Sequence, residues 1–146
     1  TNLGPDPINL DGAQFVQVEV NGNMEGIRFA FDEQFLQPGE LVVIVRDRMA
    51  FSSRYGYGAP IAAGNDQSGP EGHYGGRLSN AGEQLTLVDA NGNTIQSFQY
   101  DDSWYTSADG KGSSLVIVSQ DETDSNLWNR VENWRPSNTA NGTPGH

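Results

Sequence analysis

The sequence has no cysteine, which removes disulfide frameworks and thiolate metal sites together. Histidine is nearly as scarce. His73 and His146 are the only two, so any two-histidine metal site or Ser-His-Asp arrangement would have to be built on His73, with His146 as the last residue of the tail. Positive charge is short as well. Eight Lys and Arg stand against nineteen Asp and Glu, for a net charge of −11, and no basic cluster is present of the kind that phosphate backbones or anionic membrane surfaces require. The three nearest cations, Arg46, Arg48 and Arg54, surround Asp47. Nucleic acid is therefore excluded as a partner. No apolar run approaches the roughly 20 residues of a membrane span, so no direct membrane insertion is expected. The polar opening Thr1–Leu10 has no hydrophobic signal segment.

Eighteen glycines and seven prolines in 146 residues are scattered among alternating apolar runs. That arrangement is the pattern of strands and turns, and 146 residues suffice for one domain with its own core. Long helical periods are missing. A short helical turn around Met49–Tyr55 is the one helix the pattern suggests.

The clearest unit is Leu78–Leu115. Gln84–Asp89 alternates Leu85 and Leu87 against Thr86 and Val88, and Asn91-Gly92 supplies a hairpin signal for a type I′ turn. The return strand is Thr94–Tyr100, whose inward face the pattern leaves open. Phe15–Val20 reads as another strand, ending at a second Asn-Gly step, Asn21-Gly22. Ile27, Phe29 and Phe31 form the next apolar face. Gln37-Pro38-Gly39-Glu40 has the residues of a type II turn, with Pro presetting φ and Gly taking φ > 0. Leu41–Val45, LVVIV, reads as a central strand covered on both faces. Residues 46–77 lose all period and form a long glycine-rich loop carrying Tyr55, Tyr57, His73 and Tyr74. Long ordered loops are where binding residues concentrate, so these four are the candidate ligand-binding set. After the hairpin come an acidic aromatic corner at Asp101–Tyr105, a glycine-rich re-entry into Ser114–Val118, and an irregular tail, 136–146, containing the sequon Asn141-Gly142-Thr143.

No catalytic residue is assigned. Ser113 and Ser114 lack the nucleophile-elbow context, and Asp101-Asp102 are adjacent in an extended chain and point apart. Asp89-x-Asn91-x-Asn93 places oxygens at alternate positions but lacks the Gly and Glu of a calcium loop at their required places. Hard cations accept clustered carboxylates, and Asp101, Asp102, Asp109, Asp121 and Asp124 are the residues such a site would use. Acidic loops are far more often simply solvated, so no metal or other cofactor is expected. Trp128 and Trp134 are read as core seals. Trp104 with Tyr55, Tyr57 and Tyr74 is the one set that could form a sugar platform.

These pieces, in their order, resemble the lamin-tail domains in the form found in bacterial secreted and surface proteins. The likeness runs from Leu36-x-Pro38-Gly39-Glu40 before LVVIV, through Asp47, Phe51 and Tyr55-Gly56, to Leu78-Ser79-Asn80-x-Gly82-Glu83-x-Leu85-x-Leu87-x-Asp89. It continues with Asn91-Gly92, the Trp104 corner, Asp109-Gly110-x-Gly112-x-Ser114-Leu115, Trp134 and Gly142-Thr143-Pro144-Gly145. The resemblance implies one all-β domain, an immunoglobulin-like antiparallel β-sandwich with little or no helix and no disulfide, over 1–146. It implies a noncatalytic interaction or scaffolding module of a longer extracellular or surface-attached protein, bound to a protein or a cell-surface polymer. The alternative is a calcium-dependent or carbohydrate-binding module using the acidic and tyrosine-rich loops. The family's opening strand is represented at best by Thr1-Asn2. An upstream strand would leave one sheet edge without its neighbour in this chain, a place for homodimer pairing. Animal nuclear members are linked to chromatin, an activity that a charge of −11 does not support.

Overall fold

A computed structural model of the chain describes residues 1–119, 122, 124–142 and 144. The fold is all-β, with short antiparallel sheets stacked in a sandwich-like arrangement and a single α-helix among the described residues. The main sheet runs in the order β10 (Thr94–Tyr100), β9 (Glu83–Val88), β2 (Gln14–Val16), β5 (Ile27–Phe31), then β7 (Gly64–Asn65). β8 (Gly75–Gly76) follows β7 along the same side of β5. Smaller ribbons surround it: β1 (Ile8–Asn9) with β6 (Phe35–Leu36), β3 (Val18–Val20) with β4 (Asn23–Glu25), and β11 (Leu115–Ile117) with β12 (Trp134–Pro136).

Register explains the core. Phe15 lies opposite Phe29 in one ladder and opposite Leu87 in the next, so their side chains share one face. Phe29 is 1% exposed, and its ring meets Phe31 edge-on at 4.8 Å. Ala13 and Ala62 complete the buried centre, with Leu10, Val42, Ile44 and Tyr74 packed around it. The alternation of Ile27, Phe29 and Phe31 is thus realised, all three being buried.

Phe15–Val20 divides where a single strand was expected. Two residues, 16 and 17, face three, 26–28, between the Phe15–Phe29 and Val18–Glu25 pairs, a β-bulge with Gly26 at φ 91°. A side chain on Gly26 would press the Gln84 carbonyl at 2.9 Å. Beyond the bulge, β3 and β4 leave the sheet as a two-stranded arm.

The two Asn-Gly steps form different turns. Asn21 and Gly22 both have positive φ, 51° and 81°, as a type I′ turn requires. At Asn91-Gly92 only Gly92 does, at 84°. Asp89 N–H donates to the Asn93 carbonyl, and Gly92 N–H to that of Asp89. This is the three-residue loop closed by a left-handed glycine, which corrects the type I′ expectation there. The type II turn at 37–40 forms as expected, with Gly39 at φ 78° and Glu40 N–H donating to the Gln37 carbonyl at 2.9 Å.

LVVIV is not a central strand. Leu41–Ile44 are only half buried. The segment pairs along one edge by isolated parallel bridges, Val43 with Ile61 and Val45 with His73. Its partners, 60–62 and 72–74, are interrupted by the excursion between them, so no ladder propagates. Residues 46–77 are likewise not a structureless loop: they hold α1 (Arg48–Tyr55), β7 and β8. At Gly64 a Cβ would run into the Ala30 carbonyl, and at Gly75 it would lie 2.5 Å from Asp66 Oδ2. At Gly64, whose φ is 123°, only glycine lets the stretch approach the β5 backbone.

Candidate functional site

The four residues of the tyrosine-rich stretch do not converge; three are occupied structurally. Asp47 caps α1, its Oδ1 accepting Ala50 N–H at 2.9 Å. His73 Nε2 accepts Arg48 N–H at 2.9 Å, so the same helix start is capped twice. Tyr74 packs against the core, and burial raises its hydroxyl above its ordinary value. Tyr55 donates its hydroxyl to the Asn141 carbonyl at 2.6 Å, and Arg54 donates to the Asn141 side chain. That contact pins Asn141 to the helix.

Tyr57 is different, being 86% exposed. It stands at a shallow cleft of about 60 Å³ between α1 and the 56–61 turn, lined also by Arg48, Phe51, Ala59 and Ile61. Trp104 does not join it. Its ring lies 6.0 Å from Trp134, within a separate cluster of Phe98, Trp128 and Trp134 at centroid distances of 5.2 to 5.5 Å. The sugar platform of Trp104 with the three tyrosines is therefore not assembled.

The acidic candidates are engaged locally. Asp101 Oδ1 accepts Ser103 N–H at 2.8 Å and starts the 3-10 turn Asp102–Trp104, while Asp124 Oδ1 accepts Asn126 N–H at 3.0 Å and starts Ser125–Asn129. Asp102 and Asp109 are exposed, and Asp121 lies outside the described residues, as do Thr143 of the sequon and His146. Among the described residues no three His, Cys, Asp or Glu side chains are grouped to hold a metal ion. Asp89 accepts from Asn91 N–H, Asn93 N–H and the Asn93 amide, and Asp66 accepts from Ser68 and Gly69 N–H. In Asp47, Asp66, Asp89 and Asp101 these hydrogen bonds hold the carboxyl below its ordinary value.

Two further features escaped the sequence reading. Glu83, 3% exposed, accepts Gly26 N–H at 2.7 Å, Ser79 N–H at 2.6 Å and the Tyr100 hydroxyl at 3.1 Å. It is a buried carboxyl group whose bond from Gly26 N–H ties the base of the β3–β4 arm to the main sheet, while Ser79 N–H and the Tyr100 hydroxyl, which is shared with the Ser79 carbonyl, fasten its other oxygen. The alternation around Leu85 and Leu87 put Glu83 on the core face, and that is the one signal that could have revealed it. The second is a groove of about 330 Å³ on the opposite sheet face, lined by Gln14, Val16, Gln17, Met24, Arg28 and Asp66 among others. Arg28 Nη1 donates to Gln17 Oε1 at 2.8 Å there.

No helix among the described residues is long and apolar enough to cross a membrane. Comparison of the chain with protein-family models, with curated proteins and with solved structures gave no match in any of the three.

Proposed function

We propose that this chain is a noncatalytic interaction module, related to the lamin-tail domains and immunoglobulin-like in its sandwich, that binds a protein partner through the Tyr57 cleft. The observation that carries this reading is the contrast within one stretch: Tyr55, His73 and Tyr74 are spent on the fold, while Tyr57 stands free beside Arg48 and Phe51. Tyr and Arg around a small apolar recess are the residue types that dominate protein-binding hot spots. The order of motifs shared with secreted bacterial lamin-tail modules favours an extracellular or surface-attached setting. The same exposed ring supports a carbohydrate-binding alternative, because one face of Tyr57 is available for stacking.

A photo-crosslinking amino acid in place of Tyr57, with Glu19 on the β3–β4 arm as the control position, tests the reading against surface and secreted proteins of the producing cell. A defined protein adduct from position 57, absent from position 19 and lost on Arg48→Ala, is expected. Equal labelling from both positions overturns it. Calorimetry with calcium and a glycan panel decides the alternative: binding of a glycan that Tyr57→Ala abolishes would favour it over the protein partner.

A further inference from the structure

The chain contains three Asn-Gly steps, Asn21-Gly22, Asn91-Gly92 and Asn141-Gly142. The side-chain amide of Asn is a weak electrophile, and the following backbone nitrogen is its nearest nucleophile. Glycine offers that nitrogen least steric hindrance. The reaction needs a Gly N–H free to lose its proton and an Asn backbone able to rotate until nitrogen and Cγ meet.

The structure separates the three steps on both counts. Gly92 N–H donates to the Asp89 carbonyl at 3.0 Å, and the Asp89 carboxylate grips Asn91 and Asn93 on either side of it. Gly142 N–H donates to the Thr139 carbonyl at 3.0 Å, while Arg54 and Tyr55 hold the Asn141 side chain and carbonyl. Gly22 N–H, at the tip of the β3–β4 arm, has no acceptor among the described residues. Asn21 and Gly22 are both exposed, and the arm is closed by only the pairs Val18–Glu25, Glu19–Met24 and Val20–Asn23. Its fastenings to the sheet are all at its base, at Glu25 and Gly26. Such a tip opens locally at small cost.

We propose that Asn21 is a site of spontaneous backbone self-modification. Deprotonated Gly22 nitrogen attacks Asn21 Cγ, the new N–C bond forms as the C–NH2 bond breaks, and ammonia leaves a cyclic imide. Water then opens either of the imide's two ring C–N bonds, giving aspartate or isoaspartate and one further negative charge in both cases. Isoaspartate adds a methylene to the main chain, which a type I′ turn cannot absorb, so the arm loses its closed tip.

The test is peptide mapping of the intact folded protein during incubation at mildly alkaline pH. Cleavage at Arg and Lys puts the three steps in separate peptides, since Arg28, Arg77, Lys111 and Arg130 divide them. Conversion at Asn21 about tenfold faster than at Asn91 and Asn141 is expected, because only its tip opens without breaking a side-chain clamp. In urea, where the clamps are gone, the three rates should converge. Equal rates in the folded protein, or a lead for Asn91 or Asn141, overturn the proposal. So does an Asn21 that stays intact in the folded chain and converts in urea.

Discussion

The molecule holds two groups of aromatic rings built on opposite plans. Phe15, Phe29 and Phe31 are carried by paired strands, and their contacts follow from register. Phe98, Trp104, Trp128 and Trp134 come from a strand, two 3-10 turns and a ribbon, and polar bonds bring them together. Trp134 Nε1 donates to the Trp128 carbonyl at 2.7 Å, Asn133 to the Leu127 carbonyl at 2.9 Å, and the Tyr105 hydroxyl to the Trp134 carbonyl at 2.8 Å. The Asn129 amide oxygen accepts Gln99 N–H, which also covers part of the exposed edge of β10. The first cluster is specified by alternation and the second by fastening. A cluster of the second kind tolerates irregular backbone, provided that each polar atom is paired; the indole N–H of Trp128 is the exception, buried without an acceptor among the described residues.

The sharpest way to break the strand-built side is Phe29→Ala. A ring this buried leaves a cavity between paired strands that cannot collapse, and a loss of about 4 kcal/mol in urea unfolding is expected. Trp134→Phe attacks the fastened side. It removes one hydrogen bond and part of a ring while the other rings remain, so about 2 kcal/mol is expected. If the two losses came out equal, the contrast between alternation and fastening would be wrong.

Titration distinguishes the regions further. Tyr100, beside Glu83, has its hydroxyl raised far above the ordinary 10.0 by burial and by that carboxylate. A raised folded value means the stabilisation is complete below pH 10 and is lost as pH rises beyond it. Tyr100→Phe should therefore weaken the alkaline fall in melting temperature. The capping aspartates act at the other end. Their folded values lie below the ordinary 3.8, so their contribution is present above that pH and is lost as pH falls further. Asp89→Asn should lower the melting temperature at pH 7 and leave the most acidic melting temperatures nearly unchanged. The smallest effect belongs to Tyr57→Ala, within about 0.5 kcal/mol of wild type in unfolding, since the ring touches little of the fold; a larger loss would make Tyr57 a structural residue.

The sequence made the strand-built side readable because period 2 and turn chemistry are local. Ile27, Phe29 and Phe31, the Pro38-Gly39 turn and the Leu85–Leu87 face are all where the pattern puts them. On β10 the pattern left the faces open. A register shift between Thr94 and Gln96 turns Phe98 to the Trp cluster and leaves Ile95 exposed. LVVIV misled because an unbroken apolar run shows neither pairing nor coverage on both faces: its partners are interrupted and Leu41–Ile44 are half buried. The candidate site was least readable. Tyr55, His73 and Tyr74 looked like ligand residues because no local rule shows that Asn141, Arg48 N–H and the Phe core would claim them.

Gly64 bears on how substitutions would be tolerated along the chain. A scan of every position for retained folding should find its most intolerant sites not only among the phenylalanines but also inside 46–77, the stretch that composition marks as most permissive. There the constraint is on the absence of a side chain, because β5 is approached by bare backbone. In such a map, variability and irregular composition would part company, and a stretch resembling a tolerant linker would behave as core.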